Sequence, residues 1–186
     1  MATAPAKSWT IDDLAAPPDD KRYEIWEGEL IEMSPSGRQH SVIAMRIGSR
    51  MQLFVEQHDL GDVSGADGGY VISRDPDTLL VPDIAYVKPG RLSTDEGEGF
   101  ALIPPDLAVE VVSPSDRMSE VLEKVNIYLA AGVQMVWVVL PRQRMVSVHR
   151  LDQPNVVQQV HEGDELDGGE ILPGFRLPVA EIFRSY

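Results

Sequence analysis

Residues 105–128 decide the fold and read PDLAVEVVSPSDRMSEVLEKVNIY. The first part, residues 107–112, is an almost continuous apolar run of the kind found in a strand that is buried on both faces. Residues 113–115 (Ser-Pro-Ser) interrupt this run with turn formers and helix N-cap candidates. Apolar residues then recur at helical spacing over 118–129. The stretch therefore predicts a buried strand, a short turn and a helix that packs back on the sheet.

One carboxylate, Glu110, interrupts the predicted buried strand. A buried carboxylate is costly unless a cation or a set of hydrogen-bond donors compensates its charge. Lys124 lies on the following helix, one turn before Tyr128, and its long stem can carry the ammonium over the sheet toward Glu110. Two interpretations stay open: Glu110 is a metal ligand, or it forms a structural salt bridge with Lys124.

A second acidic strand is predicted upstream, at residues 79–87. Its sequence, LLVPDIAYV, places Pro82 and Asp83 between two short apolar runs. Asp83 can be a ligand for a hard divalent cation, which prefers oxygen donors. It can equally well finish a turn that Pro82 induces.

A Pro-Asp in one strand, a Glu in the next buried strand and a nearby Lys resemble the active-site pattern of the PD-(D/E)XK nuclease superfamily. Within it, residues 23–183 are similar to the Uma-type ("Uma-two") family of restriction-endonuclease-like proteins. The lysine expected two residues after the Glu is replaced by Val112, so Lys124 would supply the ammonium from the helix. The collinear segments are YEIWEGELIEMSP, VPDIAYV, PDLAVEVVSPSD, EKVNIYLAAGV followed by VWVV, and GDELDGGEILPGFRLPVAEIF.

This resemblance implies an α/β protein with the three-layer α/β/α restriction-endonuclease-like fold. A mixed central β-sheet would be flanked by helices at residues 38–58 and 117–131. The implied activity is metal-dependent hydrolysis of phosphodiester bonds in DNA, that is, an endonuclease.

The resemblance also implies which residues act. Asp83, Glu110 and Lys124 would be the catalytic set. Asp83, Glu110 and the main-chain carbonyl of Val111 would hold Mg²⁺ or Mn²⁺, which polarises the scissile phosphate and activates the attacking water. Lys124 would orient that water or neutralise the developing charge.

Three further residues are candidates for accessory roles. Glu29 could project from a hairpin at residues 23–33 as another metal ligand, or it could simply face water. His40 matches a histidine of the resembled family and could contact phosphate or transfer a proton, although a histidine at a helix start is usually a surface or capping residue. Tyr128 is expected in the core, where its hydroxyl could orient Lys124.

Composition and length predict one soluble globular domain. The chain has 186 residues, of which 43% are hydrophobic and 25% charged. We expect a disordered lead at residues 1–8 and a single domain over 9–186. No apolar run approaches the ~18 residues of a membrane span, the N-terminus lacks a secretory signal, and the absence of cysteine excludes disulfides. These features predict a cytoplasmic protein that does not bind membranes.

The formal net charge of −14 argues against nucleic acid as a partner, because such binding usually relies on Lys and Arg to neutralise phosphates. Arg38, Arg46 and Arg50 share one predicted helix, and Arg142 and Arg144 share one turn. These arginines either contact phosphate or belong to an ordinary solvated surface. A second hypothesis is therefore a catalytically inactive dimeric interaction protein that keeps the nuclease fold.

The remaining segments predict further sheet strands and a homodimer. Residues 136–139 (Val-Trp-Val-Val) are more apolar than a one-sided strand needs, and a homodimer would cover them. The other expected elements are short strands within 61–87, a mobile loop at 88–104, strands at 134–140, 145–150 and 156–161, and a tail at 172–183 with a short final helix.

Overall fold

The computed structural model describes residues 7–15, 17, 19–92 and 99–184. The helices are α1 (Arg38–His58), α2 (Met118–Ala130) and α3 (Val179–Phe183), and a short 3₁₀ helix covers Asp12–Ala15. The strands are β1 (Tyr23–Trp26), β2 (Glu29–Glu32), β3 (Asp62–Gly65), β4 (Tyr70–Arg74), β5 (Asp77–Leu80), β6 (Ile84–Val87), β7 (Leu107–Val111), β8 (Met135–Leu140), β9 (Met145–Arg150), β10 (Val157–His161), β11 (Glu165–Asp167) and β12 (Arg176–Pro178).

The central sheet has six strands in the order β10-β9-β8-β7-β6-β3. Strands β7 and β8 are parallel, in a register from Leu107 opposite Met135 to Val111 opposite Val139, and the other pairs are antiparallel. Helix α2 makes the crossover between the two parallel strands. The predicted mixed sheet is therefore confirmed.

The two long helices cover opposite faces of this sheet. Ile47 and Met51 of α1 are fully buried in the cluster that contains Trp137. Val125 and Tyr128 of α2 are buried in a second cluster, formed with the alternate side chains of β7 and β8. Each such side chain contributes about 1.5–3 kcal/mol when removed from water. The three-layer arrangement follows, and the bounds of α1 agree with the predicted helix at 38–58.

A separate antiparallel sheet, in the order β2-β1-β5-β4, was not foreseen. The prediction of one continuous strand over residues 79–87 is wrong, because β5 ends in this sheet at Leu80 and β6 begins in the central sheet at Ile84. Pro82, which has no N–H to donate to a sheet, lies in the break together with Asp83. Asp83 is therefore held where the chain passes from one sheet to the other.

The C-terminal tail is more regular than predicted, because β12 pairs with β11 before α3 begins. The mobile loop expected at 88–104 includes residues 93–98, and the disordered lead includes residues 1–6; these residues lie outside the described part of the chain. Among the helices in the described ranges, none is long and apolar enough to cross a bilayer.

The apolar side chains on which the homodimer was predicted are buried within the single chain. Val136, Trp137, Val138 and Val139 are at most 1% exposed, because α1 and α2 cover the two faces of β8. These four side chains therefore offer no apolar surface for a partner. The dimer stays a prediction without that support.

Candidate functional site

Side chains from both sheets and both long helices meet beside the break between β5 and β6. Glu110 comes from β7 and faces the α2 layer, and Lys124 and Tyr128 come from α2 itself. Asp83 comes from the break, and His40 comes from the first turn of α1. The sixth member, Glu24, comes from β1.

Lys124 bridges two carboxylates. Its Nζ lies 2.8 Å from Oε1 of Glu110 and 2.8 Å from Oε1 of Glu24. The side chains of Lys124, Glu24 and Glu110 are 11%, 5% and 13% exposed, so the network is largely shielded from water. Val112, which stands where the resembled pattern has its lysine, packs against the apolar cluster on the same face. The ammonium at Glu110 is thus delivered from α2 rather than from β7.

Glu24 is the member that sequence reasoning missed. Its Oε1 accepts a hydrogen bond from the main-chain N–H of Val81 at 2.7 Å, and its Oε2 accepts one from the indole Nε1 of Trp26 at 2.9 Å. These donors orient the carboxylate toward Lys124. Glu29, the residue of this hairpin that was predicted as an accessory ligand, is exposed at the start of β2. The available signal was a charged residue inside the short apolar strand YEIW.

Tyr128 donates its hydroxyl to Oε1 of Glu110 at 2.9 Å. Burial, followed by the negative charges of Glu110 and Glu24, raises the pKa of Tyr128 well above its usual value. The phenol therefore keeps its proton at neutral pH and acts as a donor. Within the described residues, its contact is to Glu110 and not directly to Lys124.

Asp83 has two partners on the other side of Glu110. Its Oδ2 accepts a hydrogen bond from the main-chain N–H of Val111 at 2.8 Å and lies 2.9 Å from Nε2 of His40. Burial lowers the pKa of His40, but the hydrogen bond and charge of Asp83, with smaller contributions from Asp116 and Glu110, raise it by more. The imidazole pKa therefore lies above its ordinary value, which favours a charged His40–Asp83 pair.

Burial and charge also act on the buried ion pair. Burial raises the pKa of Glu110, and the charges of Asp83 and Glu24 add to the rise. The Lys124 ammonium opposes these effects only in part, so the pKa of Glu110 lies above its usual value. Burial would lower the pKa of Lys124, but the charges of Glu110 and Glu24 raise it well above its usual value. Lys124 is therefore protonated over the whole physiological range.

The donor atoms near Asp83 and Glu110 are oxygens, which suits a hard divalent cation. The contacts of Asp83 described above use Oδ2, and those of Glu110 use Oε1. The carbonyl of Val111 points to the same side of β7 as its N–H, that is, toward Asp83. Within the described residues, no group of three or more His, Cys, Asp or Glu side chains is arranged as a ready metal site. Two carboxylates and a main-chain carbonyl with water would be the donor set that fits.

A cleft of about 970 Å³ opens beside this cluster. Asp83 and His40 lie on its wall, together with one flank of α1, the chain after β2 and the end of β3. A substrate in the cleft would reach Asp83 from the α1 side.

The arginines singled out in the sequence have varied partners. Arg50 forms an ion pair with Glu181 at 2.8 Å, and Arg46 donates Nη1 to main-chain carbonyls of Ile182 and Arg184. Arg144, in the turn before β9, pairs with Glu162, in the turn after β10. Arg38 is exposed at the first position of α1, and Arg142 is exposed in the turn after β8. The three arginines of α1 thus lie on one helix, whereas Arg142 and Arg144 lie in the turn between β8 and β9.

No curated protein shows significant similarity to the chain. A crystal structure described as a putative nuclease belonging to DUF820, from Anabaena variabilis ATCC 29413, has a similar fold, with a TM-score of 0.81 and 23% sequence identity over 94% of this chain and 97% of that chain. A family model, described as "Uma2: Putative restriction endonuclease", matches residues 11–180. The resemblance inferred from the sequence is thus confirmed, and the chain belongs to the Uma2 family.

Proposed function

We propose that the chain is a divalent-metal-dependent endonuclease of the PD-(D/E)XK type that hydrolyses phosphodiester bonds of DNA in the cytoplasm. The observation that carries this proposal is the meeting of Asp83, Glu110 and Lys124 from three separate elements, with Asp83 on the wall of an open cleft. The family description, "Putative restriction endonuclease", supports the same reaction class.

In the proposed site, Asp83, Glu110 and the carbonyl of Val111 would hold Mg²⁺ or Mn²⁺. When bound, such an ion supplies Lewis-acid polarisation of the phosphate and lowers the pKa of a coordinated water. Two hydrogen bonds and one ion pair would hold these groups in place. The N–H of Val111 donates to Asp83, the hydroxyl of Tyr128 donates to Glu110, and Lys124 pairs with Glu110.

Lys124 would act on the reacting phosphate as a fixed positive charge. A preorganised cation in a partly buried position stabilises developing negative charge far better than one in bulk water. Its two carboxylate partners hold the ammonium at the end of β7. We assign Glu24 as the residue that positions Lys124, since its own orientation is set by Val81 and Trp26.

His40 would contribute through its contact with Asp83. It lines the cleft, so it can also contact a phosphate that enters there. A protonated imidazole would attract the phosphate and would also compete with a cation for Asp83.

Nicking of supercoiled plasmid DNA in the presence of Mn²⁺ or Mg²⁺ tests this proposal. Wild-type protein is expected to nick, and Asp83→Asn and Glu110→Gln are expected to lose nicking. Asp12→Asn is the matched control, because Asp12 is 91% exposed and pairs only loosely with Arg74, 3.7 Å away. Plasmid left intact by wild type with either ion would reject the nuclease assignment.

The second candidate function is a catalytically inactive interaction protein. It is favoured by one observation, that Lys124 is already paired with two carboxylates. In that case the network would serve stability only, and neither Mn²⁺ binding nor nicking would be found. Binding of Mn²⁺ by wild type but not by Asp83→Asn would decide against this candidate.

A further inference from the structure

The outer flank of α1 carries a groove rich in arginine. The groove has a volume of about 380 Å³, and Arg38, Arg46, Arg50 and Arg184 line it. No carboxylate is among its described lining residues. In a chain with a formal net charge of −14, such a concentration of arginine is unexpected from the composition.

This arginine groove adjoins the cleft that contains Asp83. Ser41, Met45 and Ser49 line both, and their four-residue spacing places them on one ridge of α1. Met45, in the middle of the ridge, is 70% exposed. The two depressions therefore lie on the two flanks of the same helix, with Asp83 and His40 on one side and the arginines on the other.

Packing of the C-terminal segment against α1 builds the groove. Nη1 of Arg46 donates hydrogen bonds to the carbonyls of Ile182 at 2.9 Å and Arg184 at 2.8 Å, which holds the end of the chain beside the helix. Nε and Nη2 of Arg50 contact Oε2 of Glu181, a residue of α3, at 3.0 and 2.8 Å. Arg38 and Arg184 are the exposed members and are available to a ligand.

We propose that the arginine groove binds backbone phosphates of the nucleic acid whose scissile strand enters the cleft. The guanidinium group forms paired, charge-assisted hydrogen bonds to phosphate oxygens. A helix is about 10–12 Å across with its side chains, and the major groove of DNA is about 12 Å wide. A duplex that straddles α1 can therefore reach the cleft and the arginine groove at the same time. This inference rests on the proposed nuclease function.

The test measures binding of a fluorescent DNA duplex at several salt concentrations, with EDTA present so that no cleavage occurs. The test variant is Arg38→Gln/Arg184→Gln, and the control is Arg74→Gln, because Arg74 is 51% exposed and lines neither depression. The logarithm of the binding constant falls linearly with the logarithm of the salt concentration, and each lost phosphate contact should make this negative slope shallower by about 0.9. The double variant should therefore lose about 2 from the slope, with its melting temperature unchanged, while Arg74→Gln should bind as wild type does.

Three outcomes would overturn the proposal that the groove binds phosphates. They are a wild-type slope in the double variant, an equal change of slope in Arg74→Gln, and wild-type protein whose DNA binding does not depend on salt. Plasmid nicking is measured separately. Nicking by wild type together with an unchanged slope in the double variant would reject the groove and keep the nuclease. A groove-dependent slope without nicking would reject the nuclease and keep the groove as a nucleic-acid site.

Discussion

Replacing Lys124 by Met tests the ammonium that lies between two carboxylates. Nζ is 2.8 Å from Glu24 and 2.8 Å from Glu110, and the three side chains are at most 13% exposed. Met keeps most of the apolar stem, so the change removes mainly the charge. Breaking a buried ion pair from one side usually costs about 3–5 kcal/mol. We expect a loss of that size in the free energy of unfolding at pH 8, or roughly 6–20 °C in Tm.

The loss in Lys124→Met should depend on pH. Repulsion between the two remaining carboxylates favours uptake of a proton by the folded variant at a pH where the unfolded chain binds none. The stability of the variant should therefore rise as pH falls from about 8 toward 5, and its deficit should shrink. In wild type, the pKa of Lys124 is raised, so its contribution is fully present below about 10.4, the value of an unfolded lysine, and is lost only as pH rises through the folded value.

Urea denaturation of wild type and Lys124→Met at several pH values measures these effects. Lys21→Met is the matched control, because the Lys21–Glu32 pair is half exposed (53% and 52%) and a solvent-exposed pair contributes little to stability. The double variant Lys124→Met/Glu110→Gln should recover part of the lost free energy of unfolding, since it removes one uncompensated carboxylate. Equal losses in the Lys21 and Lys124 variants would refute the reasoning. Nicking by Lys124→Met is then assayed at a pH at which the variant is folded, so that any loss of nicking reports on catalysis and not on unfolding.

The remaining predictions concern the residues around this pair. Millimolar Mn²⁺ should raise the Tm of wild type by mass action but not that of Asp83→Asn, and equal thermal shifts would contradict the proposed site. Tyr128→Phe should lose about 1–3 kcal/mol of stability, because Glu110 loses a buried donor; Tyr23→Phe, which removes an exposed bond, should lose less in the same denaturation experiment. The pKa of His40 is raised, so its stabilising pair with Asp83 is fully present below about pH 6.5 and is lost as pH rises through the folded value. The stability difference between wild type and His40→Gln should accordingly shrink toward pH 8. A difference that stays constant with pH would show that a charged His40–Asp83 pair does not stabilise the fold.

The central strand and helices were predictable because their signals are local. The apolar run and the turn at residues 113–115 predict β7 and α2, and the structure has them at Leu107–Val111 and Met118–Ala130. Apolar residues at roughly four-residue spacing (Ile43, Ile47, Met51, Phe54 and Val55) predict a long helix over 38–58, and α1 covers Arg38–His58. The contact between Lys124 and Glu110 was also within reach, since a buried strand carboxylate requires a cation and this lysine follows on the next helix.

Non-local pairing was not predictable in the same way. Strand β5 joins a sheet with β1, whose residues lie far away in sequence, so no local pattern shows that the chain changes sheets at Asp83. Glu24 was missed for a related reason: the strand YEIW is typical of a half-exposed hairpin, and only the folded chain brings Glu24 to Lys124. The burial of 136–139 similarly depends on two helices from different parts of the chain.

The charges of the assembled site favour a cation-binding function over a purely structural one. Glu24, Glu110 and Asp83 together place three carboxylates around a single lysine and a histidine. The two carboxylates on Lys124 exceed the charge of one ammonium, and buried charge without full compensation is costly. Asp83, Asp116 and Glu110 create a negative field at the imidazole of His40, and this field raises its pKa. A divalent cation beside Asp83 and Glu110 would relieve that field, and it would take over from His40 the task of compensating Asp83.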